Sequence, residues 1–167
     1  MSKYAQIFNY LRQCPQLANL WSVAATEDIG VSVIIPFGAS DKVQYDDQFD
    51  TLGNYTCDVI PFPSVFEDYQ INCYRSYDSR DDSAPDVNLN VLTLDEVQSI
   101  CDWIEEQNDA GNLPEITGKD VIAIECNPSV PQVRYVNPEE STIAYFITVR
   151  IRYVNTAKGK SIYAVQP

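Results

Sequence analysis

Residues 93–114, with the sequence TLDEVQSICDWIEEQNDAGNLP, decide the fold because they mark both ends of one helix. Thr93 and Glu96 have the spacing of a capping box, in which each side chain binds a free backbone N–H group at the helix start. At the other end, Gly111 can adopt the left-handed conformation that closes a helix, and Pro114 prevents the helix from restarting. The stretch therefore predicts a helix that begins at Thr93 and ends at Gly111.

Apolar side chains recur at steps of three and four residues along this stretch, so they fall on one side of the helix. They are Leu94, Val97, Ile100, Cys101 and Ile104. A helix with one apolar side needs a sheet or a second helix to cover it. Because each buried aliphatic side chain contributes roughly 1.5–3 kcal/mol, we expect these five residues to form the helical part of the core.

The segments around this helix have the alternating or continuous apolar pattern of strands. We predict strands within residues 30–37, 55–60, 68–77, 121–126, 133–136 and 143–154. The second and third of these form a plausible antiparallel pair, and the last two form a hairpin with its turn at residues 137–140. In the last strand, Arg150 and Arg152 alternate with the apolar residues and therefore face away from the core.

The beginning of the chain predicts a short helix capped by Ser2, with Tyr4, Ile7, Phe8 and Leu11 on its apolar side, followed by a helical turn at residues 17–21. The order of elements favours one α+β domain over residues 1–154, with helices packed on one face of a mostly antiparallel sheet. Residues 155–167 are predicted to be a C-terminal extension.

Charge excludes several classes of partner. The 167-residue chain has 11 Lys and Arg against 24 Asp and Glu, a net charge of −13. It therefore lacks the basic surplus that nonspecific binding to nucleic acid or to an anionic membrane requires. No apolar run approaches the roughly 20 residues of a membrane span, and Asn9 and Arg12 interrupt the window where a signal peptide would be apolar. We expect synthesis and folding in a cytoplasm.

Composition also restricts the chemistry. The chain contains no histidine, which excludes Ser-His-Asp and Cys-His catalysis and most zinc, iron and copper sites. Its five cysteines are odd in number and form no CxxC pair, so we expect reduced thiols in the core. The acidic residues of segment 78–86 lack the glycine and glutamate of an EF-hand. We therefore predict no catalytic residue, no metal site, no cofactor and no enzymatic activity.

A family resemblance appears at the helix. The run ICDWIEEQNDAGNLPEI, followed by a strand, an NPEES turn and the strand IAYFITVRIRYV, resembles small phage and prophage structural proteins described as minor capsid or tail terminator proteins. The residues that match the family's W-I-E-x-Q-N-x-x-G-x-L-P pattern are Trp103, Ile104, Glu105, Gln107, Asn108, Gly111, Leu113 and Pro114.

The resemblance implies a tail-terminator-like fold and a virion protein at the neck or tail, assembled in the cytoplasm of the bacterial host. Such a protein forms a ring, commonly a hexamer, that terminates the tail tube and joins it to the head connector. The implied partners are further copies of the chain, the tail tube protein and the head-tail connector protein. DNA would only pass through the channel, and no membrane is involved.

Within such a ring, Arg150 and Arg152 are the candidates for a specific contact because cations are scarce in this chain. Our hypothesis places them against the acidic loop of the next subunit, which contributes Asp78, Asp81, Asp82 and Asp86. A different function remains open at this point. A small acidic protein without histidine could be a cytoplasmic interaction protein that mimics DNA and inhibits a basic nucleic-acid enzyme.

Overall fold

A computed structural model describes residues 1–22, 28–39, 48–49, 55–57 and 64–155. The helices are α1 (Lys3–Leu11) and α2 (Leu89–Ala110), with a short 3-10 turn at Pro15–Leu17. The strands are β1 (Leu20–Ser22), β2 (Ser32–Ala39), β3 (Gln48–Phe49), β4 (Tyr55–Cys57), β5 (Val65–Ser76), β6 (Lys119–Cys126), β7 (Gln132–Asn137) and β8 (Thr142–Asn155).

Six of the strands form one open sheet in the order β1, β2, β5, β8 and β6, with β7 also paired to β8. β1 and β2 are parallel, and every other pair in this sheet is antiparallel. β6 and β7 share the same edge of β8, one along each half. Both helices contribute to the larger of two core clusters, on one face of the sheet, and Val31, Val33, Tyr74 and Ala144 form the smaller one. The predicted α+β class, with helices on one face of a mostly antiparallel sheet, is confirmed.

The start of α2 differs from the predicted one. Its N-cap is Asn88, whose Oδ1 accepts from the backbone N–H groups of Asn90 and Val91, and Asp81 Oδ2 accepts from the N–H of Leu89. With these first-turn donors satisfied, the helix starts before Thr93, which is buried inside it. The predicted capping box is wrong. The predicted end is confirmed, because Gly111 closes the helix at φ 75°.

The predicted apolar side of α2 is correct at four of its five positions. Val97, Ile100, Cys101 and Ile104 are fully buried, but Leu94 is 42% exposed, so its prediction is wrong. The helix is rotated so that Thr93 contacts Tyr145 on β8. Successive residues lie 100° apart around a helix, and Leu94 is therefore directed to one side of this contact.

The strand β8 follows its predicted alternation. Its core-facing residues are Tyr145, Ile147, Val149, Ile151 and Tyr153, and all are buried. Thr148, Arg150 and Arg152 face the other side of the sheet and are partly exposed. β7 and β8 form the predicted hairpin.

Two other predictions near strands fail. β4 pairs with β3 and not with β5, because β5 lies between β2 and β8. β5 matches β8 over twelve consecutive residue pairs, which gives both strands a continuous buried face that the short β4 could not supply. The predicted helical turn at residues 17–21 is also wrong beyond Leu17, since Leu20–Ser22 forms β1. Residues 58–60, part of the predicted strand 55–60, and 156–167, most of the predicted extension, lie outside the described residues.

The first helix begins as predicted, since the Ser2 Oγ accepts from the Ala5 N–H. Ile7 and Leu11 are buried, whereas Tyr4 is 55% exposed and Tyr10 is buried instead. The Tyr10 hydroxyl donates to the carbonyl of Asn112 at 2.6 Å, which connects α1 to the segment after α2.

A buried arginine connects the elements at one end of the sheet. The Arg75 side chain is 4% exposed and donates from Nε to the Glu96 carboxylate on α2. Its Nη1 donates to the carbonyls of Val31 and Tyr74, and its Nη2 donates to Ser32 Oγ and to a carbonyl in the 3-10 turn. One guanidinium thus supplies donors to α2, to the start of β2 and to the segment before β1.

We expect Ile104→Ala to lower the free energy of unfolding by about 2–5 kcal/mol, because it leaves a cavity in the core. Leu94→Ala should change it by less than about 0.5 kcal/mol, because Leu94 is exposed. Urea unfolding followed by circular dichroism measures both values. Equal losses in the two variants would contradict the orientation of α2.

Replacing Arg75 by Met should destabilise the protein by about 3 kcal/mol or more, because buried carbonyls lose their donors and no water can replace them. Arg80→Met is the matched control, since Arg80 is exposed. Thermal and urea unfolding of both variants test this. An Arg75→Met protein as stable as the control would show that the buried guanidinium contributes nothing.

Candidate interaction surfaces

The first predicted site residue, Arg150, is held within its own subunit. Its Nε and Nη2 donate to the two carboxylate oxygens of Asp68 at 2.8 and 3.0 Å. Asp68 lies directly opposite on β5, and the guanidinium stands 3.9 Å from the centre of the Phe66 ring. These hydrogen bonds to Asp68 raise the pKa of Arg150 above its ordinary value. Such a bidentate, stacked arrangement fixes the arginine on the sheet.

Arg152 also has a partner in the same sheet. Its Nε donates to Glu125 Oε1 on β6 at 3.4 Å, and its guanidinium lies 5.7 Å from the Phe66 ring centre. Both arginines therefore have carboxylate partners within the subunit. The predicted contact of these arginines with the acidic loop of the next subunit stays a prediction.

The acidic loop has a local structural role in addition to its charge. The hydrogen bond from the Ser83 side chain, together with those from the N–H groups of Leu89 and Ser83, lowers the pKa of Asp81. Asp78 accepts from the N–H of Arg80. Asp82 and Asp86 are exposed. Asp81 thus helps to start α2, whereas Asp78, Asp82 and Asp86 remain accessible to a partner.

The structure does not bring the predicted arginines and the acidic loop together. The arginines pair near the beginning of β5, at Phe66 and Asp68, and the loop leaves the end of β5 after Ser76. Asp68 and Ser76 are eight positions apart along β5, which places their Cα atoms about 26 Å apart. Any contact between the two groups must involve two subunits.

Sequence reasoning missed a polar cluster centred on Glu67. Its Oε1 accepts from Lys3 Nζ at 2.6 Å and from the Tyr153 hydroxyl at 3.1 Å, and its Oε2 accepts from the Tyr69 hydroxyl at 2.7 Å. The ammonium of Lys119 lies 4.1 Å from the Tyr153 ring centre. The cluster connects α1 to β5 and β8. The only signal in the sequence for this cluster was the acidic Glu67, which lies directly before the predicted strand 68–77, in line with its apolar side, in a chain with few lysines.

The protonation states of this cluster follow from its contacts. Burial alone would raise the pKa of Glu67, but the hydrogen bonds from Lys3, Tyr69 and Tyr153 and the charge of Lys3 outweigh it, and the pKa is lowered. Burial and the neighbouring Glu67 raise the pKa of Tyr153 to about 12 and also raise that of Tyr69. The carboxylate is thus a stabilised anion and a weak base, which suits a structural connection better than proton transfer.

An apolar groove runs between α1 and the strand β2. We call it the α1 groove. It has a volume of about 500 Å³. Its lining residues are Tyr4, Ala5, Ile7, Phe8, Ile34, Pro36 and Tyr69. Two cations flank it, since Lys3 Nζ lies 4.8 Å from the Tyr4 ring centre and the Arg12 guanidinium lies 4.1 Å from the Phe8 ring centre.

A second apolar surface lies on the other side of the β5–β8 pair, at β7. It consists of four exposed aliphatic residues, which we call the β7 patch: Val91, Leu94, Val133 and Val136. Val133 and Val136 pair with Tyr145 and Ile143, whose side chains face the helices, so they share that face. Leu94 follows Thr93, which contacts Tyr145, and Val91 is three residues earlier on the same side of α2.

The two surfaces cannot meet within one subunit. The α1 groove lies at β2, and the β7 patch lies on β7, with β5 and β8 between these strands. Three strand spacings separate them, about 14 Å. They also lie towards different ends of β5. Pro36 of the groove pairs with Tyr69, in the first half of β5. Val136 of the patch pairs with Ile143 of β8, which pairs with Arg75 near the end of β5.

The described thiols are buried and unbridged. They are Cys14, Cys73, Cys101 and Cys126. Burial raises the pKa of Cys14 and Cys73, so these thiols stay protonated. Within the described ranges, no three residues among Cys, Asp, Glu and His are placed to hold a metal ion. No helix in the described part of the chain is long and apolar enough to cross a membrane.

No protein-family model matches this chain, and no curated protein matches its sequence.

Glu67→Gln should make stability less sensitive to acid. Because the pKa of Glu67 is lowered in the folded state, its ionised form stabilises the fold above the ordinary glutamate pKa, and this contribution is lost as the pH falls through the lowered value. Urea midpoints measured from neutral pH into this acidic window should fall less steeply for the variant. Glu106→Gln, on the exposed side of α2, is the control, and identical slopes in all three proteins would rule out the role of Glu67.

Proposed function

We propose that this chain is a structural protein of a long-tailed phage or prophage virion. In this proposal its copies form a ring at the neck, which terminates the tail tube and joins it to the head connector. The observation that carries the proposal is the pair of exposed apolar surfaces, the α1 groove and the β7 patch, on opposite sides of the β5–β8 pair. Exposed apolar surface of this kind commonly marks contacts between proteins.

The geometry of a ring supports this assignment. Each subunit of a ring contacts one neighbour with one surface and the other neighbour with a different surface, so the two surfaces must lie apart on the subunit. The α1 groove and the β7 patch meet this requirement, since they lie on opposite sides of the β5–β8 pair. An enzyme would instead be expected to gather polar groups in one cleft.

The residues that carry the family resemblance have packing roles, as expected for an assembly part. Trp103 lies 5.6 Å from Tyr10, measured between ring centres, and therefore joins α2 to α1. Asn108 Oδ1 accepts from the N–H of Ile124 and joins α2 to β6. Gly111 closes α2. This motif orients the last strands relative to the helix, so its presence supports the same fold as that of the family it resembles.

Charge is compatible with a channel for DNA. Every subunit contributes a net charge of −13. An anionic channel wall repels the DNA backbone over roughly a Debye length of 8 Å at physiological salt, so DNA would pass without binding. In this proposal the protein partners are further copies of the chain, the tail tube protein and the connector protein, and no membrane takes part.

Particle mass tests the proposed function. Mass photometry and negative-stain imaging of the purified chain at increasing concentration should show rings whose mass is a multiple of the 18.9 kDa subunit, with six copies expected from the family resemblance. Monomers or dimers at every concentration would contradict the ring. If these small species also bind a basic nucleic-acid enzyme in a salt-sensitive manner, the alternative of a DNA mimic would be favoured.

A further inference from the structure

We propose that neighbouring subunits join by placing the β7 patch of one copy in the α1 groove of the next. The occupant of the groove is thus a second copy of this chain. The inference rests on the proposed ring and deepens it, because it names the two surfaces that form the repeating contact.

The two surfaces are alike in chemistry and different in shape. The β7 patch projects four aliphatic side chains, of which Val133 is 55% exposed. The α1 groove is concave, is lined mainly by aromatic and aliphatic side chains, and is large enough, at about 500 Å³, to receive more than one aliphatic side chain. Joining them removes apolar surface from water on both subunits, which is the main driving force of association.

The charges around the two surfaces are opposite. Residues 1–22, which include α1, contain Lys3 and Arg12 and no acidic residue. Lys3 is paired with Glu67, but Arg12 is exposed beside Phe8 at the groove. The β7 patch adjoins three exposed acidic residues, Asp95 on α2 and Glu139 and Glu140 in the β7–β8 turn. The cation on β7 is Arg134. A groove that faces a patch therefore brings Arg12 of one copy towards the carboxylates beside the patch of the next.

The same charges disfavour a symmetric contact. Two copies joined patch to patch would bring three carboxylates from each copy, those of Asp95, Glu139 and Glu140, into one interface against a single arginine, Arg134, from each. Two copies joined groove to groove would place two concave surfaces together, with Arg12 on both sides. A head-to-tail contact avoids both problems, and repetition of such a contact closes into a ring when the rotation between subunits permits it.

Complementary variants test the contact. Leu94→Asp places a charge in the patch, and Tyr4→Asp places a charge in the groove. Both positions are exposed, so we expect the fold to be retained, and circular dichroism and thermal unfolding verify this. Each variant alone should lose assembly, with self-association weakened by about tenfold or more, the loss expected for a residue at the centre of an interface. A mixture of the two retains one intact patch and one intact groove, so it should form heterodimers and nothing larger.

Ile122→Asp is the matched control, because Ile122 is 48% exposed on β6 and belongs to neither surface. It should assemble like the unchanged chain. If the unchanged chain forms rings and both Leu94→Asp and Tyr4→Asp still form them, the proposed contact is wrong and the ring stands. If only one of the two variants loses assembly, the groove and the patch are not partners. If the unchanged chain never self-associates, the ring and this contact both fail.

Discussion

The antiparallel pairing of β5 with β8 is the contact on which the rest of the structure depends. The two strands match over twelve consecutive residue pairs, and β2, β6 and β7 are each paired directly with one of them, while β1 pairs with β2. On the face towards the helices, their alternating residues form an apolar surface, which α2 covers with Val97, Ile100 and Ile104. Because a shift of one residue would turn all of these side chains to the opposite face, burial fixes the register and thereby the place of β2, β6 and β7.

Charged groups on this framework mostly hold it together. Arg75 joins α2 to β2 from one end of β5, and Glu67 joins α1 to β5 and β8 near the other. On the face away from the helices, Arg150 pairs with Asp68. Arg75 and Arg150 thus stabilise the subunit itself. Because the chain has few other cations, recognition of a neighbouring subunit must depend largely on other interactions.

Apolar surface provides such a means. α2 is rotated so that Leu94 lies outside the core, and β7 exposes Val133 and Val136 on the same side. The α1 groove, on the other side of the β5–β8 pair, is flanked by Arg12 and by Lys3, which is paired with Glu67, whereas acidic residues adjoin the β7 patch. A subunit with a projecting apolar surface on one side and a concave one on the other has the asymmetry that repeated head-to-tail assembly requires.

The sequence by itself determined the elements whose signals are local. The closing Gly111, the buried side of α2 from Val97 onwards, and the alternation of β8 all follow from residue spacing, since a helix and a strand each impose their own period. Only the tertiary structure decided the partners. β4 lies apart from β5 and Leu94 is exposed, because these outcomes depend on contacts with residues distant in the chain, such as Tyr145. For the same reason the sequence suggested Arg150 as a contact for a neighbour, while the fold had already placed Asp68, 82 residues away in the chain, against it.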